Sequence, residues 1–222
     1  MQLYHGSENV IDKPVFGAGK PHNDYGMGFY CTEDADLSME WAVGENRDGY
    51  SNSYELDING LSVLNLMTAD CPILSWMAVL LENRSFKVNS PIAKEGRRYI
   101  FDNFLPEYGG FDVIRGYRAD DSYFSFAQDF LNNTISLEQL SEAMFYGKLG
   151  EQIVLKSRKA FNMIRYTGSE AASASVWYPR REMRDREARE MYFNLDKRTF
   201  NRNDTYIFTI LDKELKADDI RI

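Results

Sequence analysis

The first sixty residues limit the fold most, because short aromatic runs there alternate with glycines. Leu3-Tyr4-His5 ends at Gly6-Ser7, and Gly26-Met27-Gly28 runs directly into Phe29-Tyr30-Cys31. Apolar runs this short, bounded by turn residues, read as strands rather than helices. Thr32-Glu33-Asp34 then places carboxylates where a helix N-terminus favours them, and Leu37, Trp41 and Ala42 give helical spacing up to Gly44. Tyr54-Glu55-Leu56-Asp57-Ile58 alternates as a strand and meets Asn59-Gly60, a hairpin signal, so Leu61-Ser62-Val63-Leu64 is expected to return beside it.

The middle of the chain reads as helical. Pro72 suits the first position of a helix reaching about Leu81, and a second helix follows Pro91 with Ile92, Tyr99, Ile100 and Phe104. Residues 111–117 form a strand. Asp120-Asp121 then caps a helix bearing Tyr123, Phe124, Ala127 and Phe130. Ser136 and Gln139 make a capping box whose short helix Gly147 closes. Residues 152–155 are a strand, 180–189 an arginine-dense helix, and 206–211 a final strand. Strands, then helices, then strands define an α+β fold rather than alternating βαβ units. The expected layout is one domain over residues 1–165 with a C-terminal extension over 166–222 packed on it.

Composition narrows the function. A hydrophobic fraction of 44% with 14% aromatic is too rich for a disordered chain. No apolar run reaches the roughly 18 residues of a membrane span, and the N-terminus lacks the regions of a signal peptide, so the chain reads as soluble and cytoplasmic. The 34 acidic against 26 basic residues give a net charge of −8, which repels phosphate backbones and argues against sequence-independent duplex binding as the main activity. Two cysteines and two histidines, His5 and His22, supply neither a disulfide framework nor a metal set, so no metal is expected.

Most enzyme templates are missing: there is no complete phosphate loop, no Gly-x-Ser-x-Gly and no His-Glu-x-x-His. Gly17-Ala18-Gly19-Lys20 echoes a phosphate loop but has the spacing of a turn, and Cys31 reads as a buried thiol rather than a nucleophile. What remains is an ordered set. His5 ends a strand before Gly6, a residue that lets backbone approach a ligand closely. Gly26 to Gly28 gives a flexible entry to an aromatic able to stack on a flat ring. Gly150-Glu151-Gln152 begins a late strand with polar groups suited to a sugar hydroxyl.

This set resembles the ADP-ribosyltransferase superfamily, in the branch with a His-Tyr-Glu/Asp/Gln signature, and most closely a bacterial, toxin-like family found in gene pairs resembling toxin–antitoxin modules. The carrying segments are 3–7, 24–32 with Trp41-Ala42 behind, 116–123 and 149–154, together covering about residues 1–165. The resemblance implies a split β-sandwich with NAD as substrate in its cleft. It makes His5, Tyr30 and Gln152 the catalytic set: His5 on a ribose hydroxyl, Tyr30 stacked on the nicotinamide, Gln152 in the third signature position. Gly6 would hold the carboxamide, with Ser7, Thr32, Arg118 and Glu151 as further binding residues. It also implies mono-ADP-ribosyl transfer to a macromolecular acceptor, with an antitoxin-like protein as partner.

The alternatives are plain. Alone, His5 is equally a strand-end histidine, Tyr30 and Trp41 read as core, Asp120 and Asp121 as helix caps, and His22 as a loop residue. Glutamine keeps a hydrogen bond at position 152 but lacks the charge and basicity of the glutamate common there. Glu151 is adjacent, yet strand neighbours point to opposite faces, so one of the pair faces NAD. The chain also reads as an NAD glycohydrolase, as a silent nucleotide-binding module, or as a partner-binding protein acting through its C-terminal region. The stretch 180–189 reads as a solvated helix of interspersed charge pairs, or as a contact for an acidic partner or nucleic acid.

Overall fold

A computed structural model describes residues 1–222 except 69, 86–87, 120, 147–149, 197–200 and 221–222. It is a mixed α+β fold with eight α-helices and two open sheets among the described residues. The first sheet is antiparallel with the order β1 (Gln2–Ser7), β3 (Gly49–Leu56), β7 (Ile164–Ala172). The second has the order β2 (Phe29–Cys31), β6 (Glu151–Leu155), β5 (Val113–Tyr117), β4 (Val63–Asn65); only the β4–β5 pair in it is parallel.

The sheets touch at one bridge, where Tyr4 and Thr32 exchange backbone hydrogen bonds of 2.8 and 2.9 Å. Between them lies a core of Leu3, Phe29, Cys31, Tyr54, Leu56, Val113, Ile153 and Leu155. These residues alternate along their strands, as a buried sheet face requires. Val154 and Ile114 point the other way, into a larger core built with α2 (Ile73–Asn83), α3 (Pro91–Phe104), α4 (Asp121–Leu131) and α5 (Leu137–Tyr146). α1 (Ala35–Ala42) lies on β1 and β3, and α7 (Ala174–Asp196) packs on α1 through Met39, Val43 and Ala174.

Local signals account for several boundaries. Asp34 caps α1 by accepting from Leu37 N–H at 3.0 Å, and Ser90 caps α3 ahead of Pro91. Ser136 and Gln139 form the expected reciprocal box at 2.8 and 3.2 Å. Asp120 and Gly147, expected as a cap and a stop, lie outside the described residues.

Two expectations are corrected. Residues 61–64 do not return beside β3. The turn at Asn59-Gly60 forms, with Gly60 at φ 77°, but it sends the chain into the second sheet, where β4 runs parallel to β5. β3 instead takes β1 and β7 as partners, which leaves it no free edge. Residues 206–211 are not a strand but largely the helix α8 (Ile207–Asp212). Its Ile207 and Ile210 are buried on one side while Phe208 is 58% exposed, and Ile207 packs over Gly96 of α3. Packing on a helical face has overridden the strand preference of Ile, Phe and Thr.

The proposed boundary at 165/166 falls inside β7. The arginine stretch is spent largely on local partners. Arg184 pairs with buried Glu40 at 2.7 Å, Arg180 lies 3.9 Å from Asp36, Arg181 donates to the Val43 carbonyl at 3.3 Å, and Arg189 pairs with Asp185 at 2.9 Å. No described helix is long and apolar enough to cross a membrane.

One buried polar knot fixes the second sheet to its helices. The Tyr25 hydroxyl donates to the Tyr117 carbonyl at 2.5 Å and accepts from the Trp76 indole at 2.9 Å. Trp76 also reaches the Tyr117 carbonyl at 3.2 Å, so Tyr25→Phe leaves the indole one partner. That variant is expected to lose about 1 kcal/mol in urea unfolding, from one net buried hydrogen bond.

Candidate functional site

Beside the Tyr4–Thr32 bridge opens a cleft of about 590 Å3, lined by His5 and Gly6 of β1, Tyr30 of β2 and Gln152 of β6, with Trp41, Arg84 and Arg118 around them. Five of the eight residues expected in the site are therefore brought together: His5, Gly6, Tyr30, Arg118 and Gln152. Most of the remaining wall is the 21-residue connection 8–28, which has no regular secondary structure. Connections that long inside a compact domain are uncommon and are usually functional or disordered. This one is tied down at both ends. Near its start, buried Asn52 donates to the His5 carbonyl at 3.2 Å and accepts from Ile11 N–H at 2.9 Å, and the Tyr54 hydroxyl donates to the Ile11 carbonyl at 2.5 Å. At its far end, buried Asp24 accepts from Ala119 N–H at 3.1 Å and pairs with Arg84 at 3.3 Å, while Lys156 donates to the Met27 carbonyl at 2.7 Å.

His5 sits with its ring 4.4 Å from that of Phe29 and its Nδ1 2.6 Å from the Tyr30 carbonyl oxygen. A carbonyl only accepts, so Nδ1 carries the proton and Nε2 of the neutral ring is an acceptor. Burial holds the imidazole below the ordinary histidine range, against the opposing pull of the Tyr30 carbonyl. The folded state therefore binds fewer protons than the unfolded chain as pH falls through the ordinary histidine value. His5 should contribute stability that is present above about pH 6.5 and lost below it. Urea unfolding at pH 7.5 and pH 5.5 of the wild type and His5→Gln checks this; the variant should show the smaller loss of stability on acidification.

Tyr30 holds its ring in place through its hydroxyl, which donates to the Gly26 carbonyl at 2.5 Å and accepts from Tyr25 N–H at 3.0 Å. Gly26 has φ 71°, a conformation that a side chain would strain, so the turn presenting Tyr30 depends on glycine there. Burial raises the Tyr30 phenol well above its ordinary value and keeps it neutral.

Gln152 pairs with Gly116 across the sheet, is 8% exposed, and its Oε1 is buried without a hydrogen-bond partner among the described residues. Such an atom costs free energy unless something else meets it. Glu151 points the other way, into an ion pair with Arg115, which also holds Glu33 at 2.9 Å. The strand alternation thus puts glutamine in the cleft and the carboxylate outside it.

Ser7 and Thr32 do not line the cleft either. The Ser7 hydroxyl donates to the Asn9 carbonyl at 2.7 Å and accepts from Asn52 at 2.9 Å. Thr32 is buried, and its hydroxyl accepts from Asp34 N–H at 3.2 Å at the start of α1. His22 is exposed outside the cleft. Cys31 is fully buried, and burial pushes its thiol far above the ordinary range, which removes it as a nucleophile.

Helical spacing four residues after Leu37 on α1 predicts Trp41 as core. It lines the cleft instead, with the Arg118 guanidinium 5.2 Å from its ring centroid and its indole N–H lacking a hydrogen-bond partner. Asn52, Asp24 and Arg84 were also given no role; they act through contacts distant in sequence, for which no local pattern exists. The cleft's charge is the reverse of the chain's. Lys13, Lys20, Arg84 and Arg118 line it against one carboxylate, Asp24, in a chain of net charge −8. No cluster of His, Cys, Asp or Glu among the described residues is arranged to hold a metal ion.

Fold and cleft together define an α+β protein with a cationic pocket walled by one long, anchored connection. A family model described as "Protein of unknown function (DUF3990)" matches residues 1–166, and the chain belongs to that family. No curated protein and no solved structure matches it.

Proposed function

We propose that this protein is an NAD-dependent mono-ADP-ribosyltransferase of the ADP-ribosyltransferase superfamily, acting in the manner of a toxin on a macromolecular acceptor. The observation that carries the reading is the convergence of His5, Tyr30 and Gln152, three residues far apart in sequence, on one cationic cleft. A dinucleotide suits that cleft: its pyrophosphate is dianionic, and cationic side chains outnumber the one carboxylate on the lining even with Arg84 paired to Asp24, inside an otherwise acidic protein. The buried Gln152 Oε1 suits a ribose hydroxyl, which would donate to it. The neutral His5 ring offers Nε2 to a second hydroxyl, and the fixed Tyr30 ring offers a face to the nicotinamide.

In the reaction the bond between nicotinamide nitrogen and ribose C1′ breaks, and its electron pair leaves with nicotinamide. The acceptor's O–H, N–H or S–H then adds to C1′ of the oxocarbenium-like ribose and releases its proton. Gln152 holds the ribose but has no negative charge and cannot take that proton, and Glu151 is turned away. Such a site favours one transfer to an acceptor that needs no strong base over chain synthesis. Water in the acceptor's place gives NAD hydrolysis.

Incubating the full chain with NAD labelled in its adenylate part, alone and with a bacterial lysate, tests the reading. Nicotinamide release with label fixed to macromolecules is expected; no release and no labelled product would refute it.

A further inference from the structure

Beyond Phe161 and residues Lys13 to Val15, which line the cleft, lies a second cavity of about 720 Å3 on the other side of the same wall. Besides those shared residues it has Asp12, Phe16, Arg158, Asn162 and Ile164 as its own lining. A turn closed by Ala18 N–H on the Val15 carbonyl at 3.2 Å, with Gly17 at φ 85°, forms the tip of the connection and holds out Val15 and Phe16, which are 65% and 40% exposed. Phe16 meets Phe161 edge to face at 5.4 Å, and the Arg158 guanidinium lies 4.6 Å from the Phe16 ring. Asn162 adds an amide to the rim. An arginine laid over an exposed aromatic, beside a branched apolar side chain, has the composition of a protein-binding patch.

We propose that this second cavity docks an extended protein segment carrying an aromatic or branched apolar side chain next to a carboxylate; on the transferase reading, on which this role rests, the segment belongs to the acceptor. Charge complementarity selects the occupant. Lys13 and Arg158 stand at the cavity against the single carboxylate of Asp12, which suits an isolated acidic group on the partner. A nucleic-acid strand needs a run of cations along its backbone, and this rim has two on a chain of net charge −8. The apolar tip at Val15 and Phe16 gives a strand's phosphates nothing to pair with.

The test uses the full chain without NAD. A phage-displayed library of random dodecapeptides is selected on the immobilised protein, and the enriched peptides are synthesised with fluorescein. Their affinities are measured for the wild type, Phe16→Ser and Arg158→Glu by polarisation, with circular dichroism melts of each variant. Expected are enriched peptides with an aromatic or branched residue beside Asp or Glu, bound at least tenfold more weakly by both variants at unchanged melting temperature. Because Arg158 is exposed, its reversal keeps the test decisive if Phe16→Ser alone perturbs the fold. The proposal is overturned by a lack of enrichment, by peptides that bind the variants as tightly as the wild type, or by a fluorescein-labelled random 30-mer DNA strand that binds the wild type more tightly than the peptides and is lost in both variants. Nicotinamide release is measured separately. Its absence beside intact peptide binding would retire the transferase reading, whereas its presence without peptide binding would retire the docking site alone.

Discussion

On the transferase reading, replacing Gln152 with leucine is expected to make the protein more stable and to abolish NAD turnover together. Leucine is close to glutamine in volume and branches into a cleft already bordered by Tyr30 and Trp41. It deletes a buried oxygen that has no hydrogen-bond partner, and an unsatisfied buried acceptor costs about 1–3 kcal/mol. Part of that cost should be recovered as a rise in Tm of a few degrees, roughly 1 kcal/mol for a domain of this size. Nicotinamide release should fall about 100-fold, close to the loss of about 3 kcal/mol seen when one preorganised hydrogen-bonding group is removed from a reacting centre. A structural glutamine would behave oppositely, with stability and activity falling together. Gln152→Glu sharpens the contrast: a wild type that turns over NAD by itself is a transferase where label is fixed to an acceptor and a glycohydrolase where it is not, whereas activity gained only in the glutamate variant marks a silent nucleotide-binding module.

Gly6→Ala should be a severely damaging addition of a single methyl group. β1 and α1 approach so closely at Gly6 that an added Cβ collides with the Ser38 carbonyl oxygen and lies 2.7 Å from the Ala42 nitrogen and 2.8 Å from Trp41 Cβ. Two of those three atoms are backbone, so relief requires α1 to lift from the sheet. Overpacking of this kind costs about 3 kcal/mol, which urea unfolding would detect directly. The same displacement moves Trp41 and Arg118 at the cleft wall, so ligand affinity should fall even where the folded state persists. An alanine variant with wild-type stability would mean that β1 and α1 are less tightly apposed than the structure has them.

The three strands that carry the cleft's signature are legible because their signals are local. Glycines mark two of them, at 6 near the end of β1 and at 26 and 28 before β2, and the period-two alternation of β6 admits only one of Glu151 and Gln152 to the cleft, which the fold makes Gln152. β7 escaped the reading because it mixes Arg165, Thr167, Gly168 and Ser169 with few apolar residues, and as an edge strand it owes its place to pairing with β3. At α8 the strand preference of Ile207, Phe208 and Ile210 points the wrong way, because the helix follows from burying Ile207 and Ile210 in the helical core, with Ile207 over Gly96 of α3. The supporting residues of the cleft share this dependence. Asn52 holds the His5 backbone from the middle of β3, and Asp24 reaches Ala119 from 95 positions away. Ser7 and Thr32 show the converse: both stand beside signature residues, yet the connection 8–28 and the start of α1 use their hydroxyls.

The most direct measurement is a crystal structure of the full chain with carba-NAD, whose ribose analogue cannot lose nicotinamide. Expected are the nicotinamide ring over Tyr30, a ribose hydroxyl within about 3 Å of Gln152 Oε1, and the pyrophosphate among the cleft's lysines and arginines. A cleft that stays empty at millimolar ligand, or a dinucleotide bound away from His5, Tyr30 and Gln152, would contradict the transferase reading.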